Sequence, residues 1–135
     1  GRGKFILFYL GAGLAASFAH AFSDPASAVP TIGASGAIAG VLGAYMLLYP
    51  WARVYTAVIF FFIIMIPAAV LIGFWFVLQV ISASVLWATE ATVGVAYWAH
   101  IGGFLAGMLL ILPVWVKLRK RRRARYVYTM RYGVG

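Results

Sequence analysis

Ser35 lies in Gly33-Ala34-Ser35-Gly36 at the polar entrance of an apolar stretch, and His100 stands at the matching entrance of another. A serine hydroxyl is a weak nucleophile until a base within about 2.6–3.2 Å takes its proton. Small neighbours at a helix start leave backbone N–H groups without intrahelical partners, natural donors to a developing oxyanion. Nucleophile, base and oxyanion donors are the parts of a serine hydrolase. Glycines at helical spacing more often mean packing alone, and a serine in a membrane helix usually bonds its own turn. The joint occurrence of serine and histidine at one depth is what points to catalysis.

The sequence around the pair sets the medium. Of the 135 residues, 65% are hydrophobic and 10% charged, against roughly 25% charged in soluble domains. Residues 5–22, 33–49, 54–89 and 91–116 contain no Lys, Arg, Asp or Glu. A crossing takes about 20 apolar residues, so 54–89 is too long for one helix and has to break. The net charge of +9 is concentrated at Arg2, Lys4, Arg53 and the run from Lys117 through Arg125 to Arg131, whereas Asp24 and Glu90 occupy the other loops. Positive loops stay in the cytoplasm, which puts both ends inside and requires an even number of crossings. The reading is an all-α polytopic membrane protein with four transmembrane helices at about 5–22, 33–49, 67–84 and 95–116. Pro50 ends the second, and Pro67 is suited to the first position of the third. Residues 54–66, rich in β-branched and aromatic side chains, form a hairpin or interfacial segment on the inside face. Residues 85–93 form an outside loop. A core of 1–116 is followed by a basic cytoplasmic tail, 117–135.

Lipid gives helices little hydrophobic reason to associate, so small residues must let the backbones approach. Gly33, Gly36, Gly40 and Gly43 share one face of the second span, and Gly103 and Gly107 one face of the last, with His100 on or beside it. Laid together through these faces, the two helices hold hydroxyl and imidazole at similar depth. No metal site is expected, because two histidines and two carboxylates in mostly separate segments cannot converge. No cofactor is expected either, since no Gly-rich phosphate loop follows a strand. The basic tail reads as a topology anchor against anionic lipid headgroups rather than a nucleic-acid contact. His20, near the outer end of the first span, is given no role. Gly1 opens the chain without an initiator Met or a leader pattern, which suggests a piece of a longer protein.

The segments Gly33-Ala34-Ser35-Gly36-Ala37-Ile38-Ala39-Gly40 and Ala99-His100-Ile101-Gly102-Gly103-Phe104-Leu105-Ala106-Gly107 resemble the GxSG and AHxxGxxxG motifs of the rhomboid family of intramembrane serine proteases. Pro67-Ala68, with Gly73, Trp75 and Gln79, is similar to the mobile helix that bacterial members use as a lateral substrate gate. The resemblance implies the last four spans of a six-span core in a bacterial inner (plasma) membrane. It makes Ser35 the nucleophile and His100 the general base and acid, and it puts Phe74 and Trp75 at the gate. The oxyanion site comprises the backbone around Ser35 and Gly33, and the side-chain donors that the family carries on its second span lie outside these residues. An isolated fragment lacking two spans is expected to be inactive. Some members brace the imidazole with an aromatic ring one turn after the serine; Ala39 stands there, so a brace has to come from elsewhere. The activity implied is serine endopeptidase cleavage of the transmembrane segments of substrate proteins by a Ser-His dyad. The alternative is a non-catalytic relative that binds or chaperones membrane helices.

Overall fold

The computed structural model describes residues 1–23, 25, 33–58, 62–89 and 96–132. In chain order these form α1 (Arg2–Ser23), α2 (Ser35–Leu48), β1 (Arg53–Val58), β2 (Phe62–Pro67), α3 (Ala68–Thr89) and α4 (Tyr97–Tyr132). The helices form the expected bundle, with small side chains inside and large ones outside. On α1, Ala12 and Ala16 are buried while Leu7, Leu10, Leu14 and Phe18 are exposed. Such a surface is stable only where the solvent is itself hydrocarbon, and the inner face then depends on close backbone approach.

α1, α2 and α4 pack against one another along a continuous seam of small residues. A Cβ built on Gly36 would meet the Ala16 Cβ at 2.5 Å, and one on Gly40 would meet the Ala12 Cβ at 2.5 Å. On the other side, Cβ atoms at Gly103 and Gly107 would fall on the carbonyl oxygens of Gly36 and Gly40. The order of these contacts makes α2 and α4 parallel, with α1 antiparallel to both. α3 packs antiparallel to α4 through fewer contacts. It buries Ala68, Ile72, Gln79 and Ala83 along one face, and Phe76 stacks on the buried Phe104 with centroids 4.3 Å apart.

The hairpin expected at 54–66 is an antiparallel pair, with Arg53 opposite Pro67 and Val58 opposite Phe62. Its base is tied to α3: Ala68 N–H donates to the Ala52 carbonyl at 2.8 Å and Ala69 N–H to the Pro50 carbonyl at 2.9 Å. These bonds satisfy two of the donors that a helix start leaves free. Pro67 therefore closes the strand, and the helix begins one residue later than expected.

Three other boundaries differ from the sequence reading. Among the described residues, three helices are long and apolar enough to cross a membrane, whereas α2, with 14 residues, is shorter; at 1.5 Å per residue it covers about 21 Å. α3 runs on to Thr89, so residues 85–89 are helix rather than loop, and 90–93 lie outside the described residues. The hydroxyls that flank this turn are satisfied without leaving the helix, Ser84 Oγ donating to the Val80 carbonyl at 2.8 Å and Thr89 Oγ1 to the Val85 carbonyl at 2.9 Å. α4 does not stop at 116 but continues through the basic run to Tyr132. Lys and Arg are good helix formers, and extending an existing helix avoids the cost of nucleation.

Candidate active site

Ser35 is the first residue of α2, and the turn before it explains why. Gly33 adopts φ +139°, a conformation that L side chains rarely take. Ile38 is the residue whose N–H closes the first turn, donating to the Ala34 carbonyl at 3.0 Å. The N–H groups of the residues before it point out of the helix end, as the start of any helix requires. Gly36, next in sequence, is buried against Ala16 and the Ala99 carbonyl, so the small residue after the serine lets α2 and α4 touch beside the hydroxyl. Ser35 itself remains exposed.

His100 lies in the first turn of α4, flanked by buried Ala99 and Ile101. Its Nε2 is 2.9 Å from Ser35 Oγ, and its Nδ1 is 2.7 Å from Oε1 of Gln79 on α3. The Trp75 ring stands 5.9 Å from the imidazole at 39°, and Tyr97 meets it edge-on at 6.4 Å. Aromatic support for the imidazole thus comes from α3 and from the first turn of α4, in place of the position that Ala39 occupies. Three helices contribute to one constellation.

The pair is recessed below the neighbouring helix ends. Ala16 is level with Gly36, and α1 continues another seven residues to Ser23, about 10 Å at the helical rise. Gln79 is level with His100, and α3 continues ten residues to Thr89, about 15 Å. The short α2 is what sets Ser35 at this depth.

The remaining expected residues fall in different places. Gly36, Gly40, Gly43, Gly103 and Gly107 all lie in the seam beneath the pair. Phe74 and Trp75 point in different directions: Phe74 is 64% exposed on the outer face, whereas Trp75 packs inward on His100 and Phe104. His20 makes no hydrogen bond to the pair among the described residues, and its buried Nδ1 has no partner among them. The contact that sequence reasoning did not assign is Gln79 to His100. A signal was available, since Gln79 is the chain's single glutamine and the chain has no asparagine. A polar amide in the middle of an apolar helix requires a partner.

The Rhomboid domain family matches residues 1–117. No match is found among curated proteins or solved structures. Set on three apolar helices of membrane-crossing length, a match over most of the chain identifies it as an integral, multi-pass membrane protein that belongs to the rhomboid family.

Proposed function

We propose that this protein is an intramembrane serine endopeptidase that cleaves transmembrane segments of other proteins near their outer ends. The observation that carries this reading is the 2.9 Å contact between Ser35 Oγ and His100 Nε2, recessed among apolar helices. Ser35 Oγ attacks the scissile carbonyl carbon while His100 Nε2 takes the hydroxyl proton. The carbonyl oxygen becomes an oxyanion facing the free N–H groups around Ser35 and Gly33. Collapse of the tetrahedral adduct breaks the C–N bond, and His100 returns its proton to the departing amine. Water, deprotonated by the same imidazole, attacks the acyl ester and regenerates the serine.

The substrate is a helix in the same bilayer. It enters sideways past Phe74 on the outer face of α3 and unwinds locally where the recess admits water. The basic segments at Arg2, Lys4, Arg53 and Lys117–Arg125 lie at the opposite end of the bundle, which supports a cytoplasmic position for that end, and the family resemblance implies a bacterial inner membrane. There the tail rests on anionic lipid headgroups.

Cleavage of a reporter membrane helix by the full-length protein tests the reading. Ser35→Ala and His100→Ala should each abolish cleavage while the helical circular dichroism is retained. Normal cleavage by either variant would show that the dyad is not the catalytic centre, and capture of the reporter without cleavage by the unaltered protein would favour a helix-binding role.

A further inference from the structure

We infer that Gln79 is a positioning residue that fixes the tautomer of His100 needed for proton abstraction, an inference that rests on the serine-hydrolase reading of the pair. Gln79 is the buried polar side chain among the described residues, 8% exposed, on a helix of mean hydropathy 2.2. An amide taken out of water costs free energy unless it is hydrogen-bonded. A leucine would pack in its place without that cost, so a polar partner has to account for its presence.

The partner is the face of His100 that Ser35 does not touch. Gln79 Nε2 lies 3.5 Å from the Trp75 carbonyl, a long contact that nonetheless orients the amide. A carbonyl can only accept, so the NH2 group faces Trp75 and the amide oxygen faces the imidazole. Oε1 also can only accept, and at 2.7 Å it requires the proton on Nδ1. Nε2 is then bare, and its lone pair faces Ser35 Oγ at 2.9 Å. In the other tautomer Nε2 would donate to the serine oxygen and could not take its proton. Gln79 thus selects the one neutral form of the ring that can act as base. When His100 gains the serine proton, the Nδ1–H bond to the amide oxygen becomes charge-assisted and strengthens. A neutral amide does this without placing a second charge in hydrocarbon.

The test compares the full-length protein with Gln79→Leu, Gln79→Met and Gln79→Glu. Two quantities are read: the imidazole 15N signals of His100, identified by their loss in His100→Ala, and kcat and KM for reporter cleavage. In the unaltered protein Nδ1 should carry the proton and Nε2 should show the shift of an unprotonated nitrogen. Leucine and methionine remove the acceptor, so the proton should redistribute toward Nε2. kcat should then fall about ten- to a hundredfold, part of the full contribution of a general base, with KM little changed. Glutamate keeps an acceptor oxygen at the same reach and should retain the tautomer and most of the rate. Leucine and methionine variants that keep the original 15N pattern and kcat would overturn the inference, as would an unaltered protein whose Nε2 carries the proton. The tautomer readout needs no turnover. A protein with bare Nε2 that loses this state in Gln79→Leu, yet cleaves nothing, would refute proteolysis and uphold the role of Gln79.

Discussion

Gly107→Ala adds one methyl group about two turns of α4 below His100, and its effect can be worked from the seam. The new Cβ would meet the Gly40 carbonyl carbon and Cα at 2.5 Å, with the carbonyl oxygen closer still. All three are backbone atoms that cannot rotate away. Restoring ordinary contact at 3.4 Å for the two carbon atoms alone requires α2 and α4 to part by about 1 Å, and the oxygen demands more. Carried to the end of the helices, that shift stretches the 2.9 Å Ser35–His100 contact to about 3.9 Å, past the reach of a hydrogen bond. Overpacking of this kind typically costs about 1–3 kcal/mol in stability, and a 1 Å misplacement of reacting groups costs about a hundredfold in rate. The control is Gly3→Ala, on α1, where an added Cβ meets nothing within 4 Å. It should stabilise the helix by up to about 1 kcal/mol through propensity alone and leave cleavage unchanged. Thermal unfolding in detergent and reporter cleavage measure both variants side by side. A Gly107→Ala protein with unaltered melting and unaltered cleavage would refute the claim that the glycine seam sets the dyad distance.

Two further outcomes follow from the site. Gly33→Ala has room for its methyl, with Ser35 Oγ the nearest atom at 3.8 Å, but the +139° φ is strained for alanine; it should lose about 1–3 kcal/mol and slow cleavage, seen by the same two assays. Phe74→Ala removes a side chain that is 64% exposed on the outer face of α3, so melting should hold within about 0.5 kcal/mol. Cleavage of a helical reporter should change, whereas labelling of the serine by a small phosphonate should not.

Most of the arrangement could be read from residue types and intervals, because the relevant signals are local. The spacing of Gly36, Gly40 and Gly43 marks one helix face without any knowledge of its partner, and α1 and α4 both press on it, whereas Gly33, expected on the same face, falls in the turn before α2 and touches neither helix. The β-branched run before Pro67 marks the hairpin for the same reason. What escaped depends on pairing at a distance. Gln79 and His100 are 21 residues apart, and nothing in the local pattern of α3 says which neighbour its amide meets. The helical turn at 85–89 was hidden because the apolar run from Val54 to Thr89 carries no local signal for where α3 ends, and the flanking Ser84 and Thr89 hydroxyls bond back to carbonyls one turn earlier instead of ending the helix. The short span of α2 follows from the glycine turn at Gly33, whose conformation composition does not reveal. The aromatic support of His100 by Trp75 likewise depends on how α3 docks.

The central claim is that Ser35 is an activated nucleophile because His100 can take its proton. It is tested most directly by treating the full-length protein in membranes with a serine-directed fluorophosphonate and mapping the adduct by peptide mass spectrometry. The account predicts a single adduct on Ser35 that disappears in Ser35→Ala and is nearly lost in His100→Ala. An unlabelled Ser35 in folded protein, or labelling that persists undiminished without the imidazole, would contradict it.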